Sequence, residues 1–213
     1  MTKLTRIDSL LLNQHSLLNS DDVCFYLGEY TARAGYSHSK TNNLIHNLKK
    51  SPLRRNRPEW RYKLQAINKA GDAFRDAIGV DNLKKITFVP VPPSKAKEAP
   101  EYDDRIVQIL TRMALGVDVD IRELVVQSRS TQAAHESEDR PTVEDLLSVY
   151  QVQEGSLEPE PKLVAIVDDV ISAGTHYRAM HSVISGQYPG ANIVGLFVAR
   201  RAVPDPELDF TAV

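Results

Sequence analysis

Residues 163–175 read Leu163-Val164-Ala165-Ile166-Val167-Asp168-Asp169-Val170-Ile171-Ser172-Ala173-Gly174-Thr175. Five apolar residues suit a buried strand, two adjacent carboxylates follow it, and a loop of small residues opens onto a helical pattern. Backbone N–H groups at the start of a helix, backed by its dipole and by the Ser172 and Thr175 hydroxyls, suit a phosphate. Gly174 lets the chain approach such an anion closely. Ionised Asp168 and Asp169 only accept hydrogen bonds, so a ribose 2′,3′-diol is their natural partner, with or without Mg²⁺ between. The combination points to the chemistry of a sugar phosphate.

This segment resembles the signature of the type I phosphoribosyltransferases, which bind phosphoribosyl diphosphate (PRPP). That signature is an apolar strand, two acidic residues, two mostly apolar residues, then Thr/Ser, Ala/Thr, Gly and Thr/Ala, and Asp168 to Thr175 meets every position. The resemblance implies that Asp168 and Asp169 hold the ribose hydroxyls, and Mg²⁺ indirectly. It assigns Val170, Ile171, Ser172, Ala173, Gly174 and Thr175 to the 5′-phosphate. A second run, Val89-Pro90-Val91-Pro92-Pro93-Ser94-Lys95, is similar to the pyrophosphate loop of the ComF-like, amidophosphoribosyltransferase-related branch. It implies diphosphate contacts at Pro93, Ser94 and Lys95, with Lys97 a further candidate. The polar stretch Ser128 to Arg140 stands where the family has a flexible loop, which makes Arg129 and Arg140 candidate catalytic cations beside Lys95.

The implied reaction is Mg²⁺-dependent transfer of a 5-phosphoribosyl group to a nitrogen nucleophile, a base or an amine, with release of pyrophosphate. A non-catalytic sensor of PRPP or of a nucleotide stays open beside it, because a fold and a binding motif do not by themselves give turnover. The chain departs from the ComF-like pattern in having a single cysteine, Cys24, where that branch opens with zinc-binding cysteine pairs. Nothing in residues 1–85 matches an assignable base-binding hood. His176 and His181 are five residues apart and so on different helix faces, which argues against a paired metal site.

A separate signal lies upstream. Lys49, Lys50, Arg54, Arg55, Arg57, Arg61 and Lys63 are opposed only by Glu59, with Trp60 and Tyr62 interleaved. Such a segment could meet a nucleic-acid backbone or be a solvated basic face.

The elements needed to position these groups follow from pattern and composition. The chain has 213 residues, 42% hydrophobic and 25% charged, with a formal net charge of -2, proportions suited to a globular domain. That charge gives no global attraction to nucleic acid or to a membrane surface. One cysteine excludes a disulfide framework and fits a reducing compartment. No apolar run approaches the roughly 20 residues of a membrane span, and residues 1–19 lack a secretory h-region, so a cytoplasmic protein is expected. A homodimer is compatible with this reading.

Residues 1–80 are expected to form a helical extension and 81–213 an α/β phosphoribosyltransferase-like domain with a mainly parallel sheet flanked by helices. In the first part, Ser20-Asp21 is read as capping a helix towards Arg33, Ser39 as starting a second, and Pro58 as opening a third with Leu64, Ile67, Gly71, Phe74 and Ile78 on its apolar face. In the second, strands are expected at 86–91, 121–127, 163–167 and 191–198. Helices are expected at 102–115, 141–150 and 176–185.

Overall fold

The computed structural model describes residues 3–130 and 141–203. In chain order come β1 (Thr5–Arg6), β2 (Val23–Thr31), α1 (Lys40–Leu48), α2 (Trp60–Ile78), α3 (Val80–Leu83) and β3 (Thr87–Pro90). There follow α4 (Arg105–Met113), β4 (Asp120–Ile121), β5 (Val125–Gln127), α5 (Val143–Leu147), β6 (Tyr150–Val152), β7 (Leu163–Ile171), α6 (Thr175–Gln187) and β8 (Asn192–Ala202). Six strands form one sheet in the order β1-β2-β8-β7-β3-β4, parallel throughout except where β1 meets β2. The short strands β5 and β6 make a separate antiparallel pair.

Both faces of the sheet are covered, and the apolar run of β7 supplies both. Ala165 and Val167 join Ile45, Leu48, Ile67, Phe74, Ile109 and Leu110 of α1, α2 and α4 on one side. Val164 and Ile166 join Tyr177, Met180 and Ile184 of α6 on the other. A parallel strand buried on both faces needs such a continuous apolar run rather than an alternating one.

The N-terminal third corrects the sequence reading. Residues 23–31 are a strand, not a helix, and β2 lies in the same sheet, parallel to β8 from Val23↔Val194 to Thr31↔Ala202. Residues 1–80 are therefore not a helical extension. The run Val23-Cys24-Phe25-Tyr26-Leu27 is rich in β-branched and aromatic residues, which pack well on a pleated surface, and an open edge beside β8 outweighs the cap-like Ser20-Asp21. Tyr26 is accordingly buried in the sheet while Tyr36 is exposed. The expected strand 121–127 is also two strands. Arg122 ends the ladder between them, its N–H bonded to Phe88 O at 2.9 Å and its guanidinium to Asp120 and to the carbonyls of Ser156 and Leu157.

The helices at Ser39 and Pro58 form as expected, with the Ser39 hydroxyl accepting from the Asn42 N–H. On α2, however, Leu64 is exposed, and Ala66 and Ala70 complete the buried face with Ile67, Gly71 and Phe74. Gly71 is where α2 meets α4: a Cβ there would stand 2.7 Å from Ile109 O and 2.7 Å from Arg112 Cβ. We expect Gly71→Ala to destabilise the protein, since about 1–3 kcal/mol of overpacking exceeds or matches the roughly 1 kcal/mol gained in helix propensity. Urea denaturation checks this, and a variant more stable than wild type would show that the helices separate freely.

Among the described residues, no helix is long and apolar enough to cross a membrane.

Candidate functional site

Two neighbouring strands send their connections in opposite directions. From β3 the chain passes through α4, on one face, outward to β4; from β7 it passes through α6, on the other face, to β8. Adjacent parallel strands that diverge in this way leave a crevice at their carboxyl ends, the usual ligand site of an open α/β sheet. Val91 N–H donates to Val167 O at 2.9 Å, so the Pro92-Pro93 turn leaves the sheet directly beside Asp168. Segments 75 residues apart in sequence thus leave the sheet side by side.

On the β7 side the loop Ser172–Gly174 is held from behind by residues 15–18. His15 Nδ1 donates to Ser172 O at 2.5 Å, and Leu17 N–H donates to Ala173 O at 2.9 Å. A trans peptide points its N–H opposite to its C=O, so the N–H groups of Ala173 and Gly174 point away from this arm. Gly174 has φ +101°, a conformation that L side chains avoid, and it delivers the chain into the first turn of α6. The Arg178 guanidinium closes the arrangement by bonding Leu17 O at 2.9 Å and the Asp22 carboxylate. Asp168, Ser172, Gly174, Thr175 and His176 line the resulting pocket, together with Pro141. Orphan N–H groups at the start of a 13-residue helix and a carboxylate at its edge form an anion cradle next to a hydroxyl acceptor.

The two aspartates, equivalent in the sequence reading, are not equivalent here. Asp168 lines the pocket, with Oδ1 accepting from the Asp169 N–H at 2.7 Å and Oδ2 3.4 Å from His176 Nδ1. Asp169 faces the α1–α4 layer, where Oδ2 takes Arg105 Nε at 2.9 Å and Oδ1 lies 3.5 Å from Lys49 Nζ. Arg105 also reaches Asp103 at 2.8 Å, and Asp103 takes Lys63 at 2.7 Å. Charges therefore alternate along Lys49, Asp169, Arg105, Asp103 and Lys63. Burial would raise the Asp169 carboxyl, but the Arg105 guanidinium and then Lys49 hold it well below the usual carboxylate range. Burial likewise works against the Arg105 cation, yet Asp169 and Asp103 keep it firmly protonated.

On the β3 side a second pocket is lined by Pro90 to Pro93, Lys95, Lys97, Tyr102, Glu123 and Gln127. Lys97 pairs with Glu123 at 3.1 Å, and among the described residues no carboxylate pairs with Lys95. Burial, then the Glu123 charge, pushes the Tyr102 hydroxyl up to about 12. The Ala96 N–H donates to Ser130 Oγ at 3.1 Å, which ties this loop to the described base of the 128–140 stretch. Arg129 is exposed there, and Arg140 lies outside the described residues.

The expected positions fall into two pockets: Pro93 and Lys95 line the one after β3, and Asp168, Ser172, Gly174 and Thr175 line the one after β7. Others change role. Val170 and Ile171 belong to β7 rather than to the loop, with Ile171 packed in the core, though both line the same pocket as Asp168. Lys63 is fully buried, bonded to Leu48 O, Lys50 O and Asp103, and has no part in a surface. No local pattern in the sequence marks Arg105, Asp103, Tyr102, Glu123 or His15, since each acts on a partner at least 21 residues away or in another element. Neither a family model nor a curated protein matches the chain.

The donor set constrains any divalent cation. Among the described residues no three His, Cys, Asp or Glu side chains cluster to hold a metal, and the Asp169 oxygens face cations. Mg²⁺ is commonly bound by one or two carboxylates together with substrate phosphates, so the site fits it as the companion of a diphosphate, with Asp168 as the available carboxylate.

His15 gives the site a pH dependence. Burial lowers its pKa against the pull of the Ser172 hydrogen bond, and Arg200 lowers it further. Its contribution to stability is complete above the unfolded value of about 6.5 and is lost as the pH falls from there through the lowered folded value. We expect the urea midpoint to drop between about pH 7 and pH 5, and less steeply in His15→Asn; equal slopes would assign the effect to other groups.

Proposed function

We propose that this chain is a phosphoribosyltransferase of the type I kind, binding PRPP across the crevice between β3 and β7. One observation supports the reading: the divergence of β3 and β7 sets the Ser172–Thr175 loop and Asp168 at the end of one strand, next to the strand whose end carries the Pro92-Pro93 turn and Lys95, groups suited in turn to a 5′-phosphate, a ribose and a diphosphate. The Ala173 and Gly174 N–H groups and the first turn of α6 bind the 5′-phosphate. Asp168 accepts from the ribose hydroxyls. The Pro92-Pro93 turn and Lys95 take the diphosphate.

In the reaction the bond from C1 to the diphosphate oxygen breaks with its electron pair left on the departing pyrophosphate, a C1–N bond forms, and the proton lost by the nitrogen passes to water. C1 passes through an oxocarbenium-like state, so the cost lies in charge separation. Lys95 stabilises the departing anion more than the attached one, which is what lowers the barrier. Mg²⁺, when bound with the diphosphate, neutralises part of the same charge. Asp169 takes no direct role: held by Arg105 and Lys49, it fixes the end of β7 so that Asp168 points into the pocket.

Calorimetric titration with PRPP and Mg²⁺ tests this. A charge-assisted hydrogen bond is worth about 1.5–3 kcal/mol, so Asp168→Asn should weaken binding about tenfold or more while the unliganded protein melts close to wild type. Equal PRPP affinities for the variant and wild type would overturn the assignment.

A further inference from the structure

The basic segment between α1 and α2 belongs to neither pocket of the crevice. Residues 49–63 carry seven of the 26 Lys and Arg side chains and one of the 28 Asp and Glu. Lys49 and Lys63 turn inward to Asp169 and Asp103. Arg54, Arg55, Arg57 and Arg61 are exposed, with Lys50 half-buried beside them. Arg54 meets the single acidic residue, Glu59, at 3.5 Å.

Three of the others lie over rings. The Arg55 guanidinium lies 5.9 Å from the Trp60 ring centre and the Arg61 guanidinium 4.9 Å from that of Tyr62, with Lys50 Nζ 5.7 Å from the same Tyr62 ring. Arg61 also donates to the Tyr62 hydroxyl at 2.9 Å. A guanidinium stacked on a ring loses less freedom on binding and keeps N–H groups for a forked contact with phosphate. These cations lie in the connection between α1 and α2, around a single 3₁₀ turn (Pro52–Arg54), and on the first turn of α2, too short a row to fill a duplex groove.

We propose that this surface binds the phosphodiester backbone of a single-stranded nucleic acid. The chain as a whole has a formal charge of -2, so attraction to a polyanion rests on this local concentration. Because cations already occupy the rings of Trp60 and Tyr62, affinity comes from phosphate contacts and shows little base preference. Arg55, Arg57 and Arg61 line neither crevice pocket, so the surface stands apart from the phosphoribosyl chemistry.

Fluorescence anisotropy with labelled single-stranded DNA and RNA, a duplex of the same length and anionic phospholipid vesicles provides the test. Four phosphate contacts at about 0.7 each give a log–log salt slope near -3, or about fifty-fold weaker binding from about 50 to 200 mM salt. The triple variant R55Q/R57Q/R61Q should flatten that slope by about 2. A charge-matched control, K69Q/K84Q/K85Q, removes three exposed lysines elsewhere and should leave the slope nearly unchanged. The proposal falls if single strands do not bind at low salt, if both triple variants flatten the slope equally, or if the duplex or the vesicles bind more tightly than the single strands.

Discussion

Replacing Arg105 by alanine is expected to cost about 3–5 kcal/mol of stability, the range found when one partner of a buried ion pair is removed. The Asp169 side chain is only 4% exposed, and Arg105 supplies its two shortest contacts, at 2.8 and 2.9 Å. Lys49, at 3.5 Å, is too distant to take its place. Asp103 loses a partner at the same time. For a chain of this size each kcal/mol corresponds to about 2–4 °C, so the melting temperature should fall by at least about 6 °C. The double variant Arg105→Met/Asp169→Leu should recover much of that loss, since it removes the uncompensated charge as well as its partner. Thermal and urea denaturation of both variants measure this. A loss below about 1 kcal/mol for Arg105→Ala, the level of an exposed pair, would mean that water reaches Asp169 and that the alternating charges do not hold the end of β7.

The second large effect concerns turnover. If the crevice transfers a phosphoribosyl group, Lys95→Ala should lower the rate of pyrophosphate release by about a hundred- to a thousandfold, the loss seen when one stabiliser of transition-state charge is removed. The affinity for PRPP should change much less, because an interaction made mainly with the leaving diphosphate appears in kcat rather than in ground-state binding. The assay is pyrophosphate release from PRPP with purines, pyrimidines, ammonia and glutamine offered in turn. Tight PRPP binding without pyrophosphate release with any of these acceptors would favour a sensor of PRPP over a transferase. Equal falls in affinity and rate would make Lys95 a binding residue only.

The parts of the fold and site readable from the residues alone are those set by near neighbours in sequence. The apolar run of β7, the small residues before α6 and the Ser39 cap each act within a few residues, so their consequences are local and periodic. The face of α4 was readable for the same reason: Ile106, Ile109, Leu110 and Met113 recur at helical spacing and all four are buried. The strand β2 was not, because its state depends on an open edge beside β8, more than 160 residues away. A cap-like pair and a short apolar run fit helix or strand equally until that partner exists.

The same division runs through the site. By itself the sequence determined which chemical groups are present and in what order: the acidic pair, the Ser172–Thr175 loop, the Pro92-Pro93 turn with Lys95, and the basic run 49–63. Only the tertiary structure decided which of them line a pocket. Adjacent residues on a strand point to opposite faces, so Asp168 and Asp169 had to part, and the fold met one with a pocket and the other with Arg105. Lys63 carries the same charge as Arg61 two positions earlier, yet helical spacing turns one inward to Asp103 and leaves the other in solvent. The orientation of the Ser172–Gly174 loop rests on His15 and Leu17, more than 150 residues away, because a short loop has no internal means of fixing which way its peptide groups point.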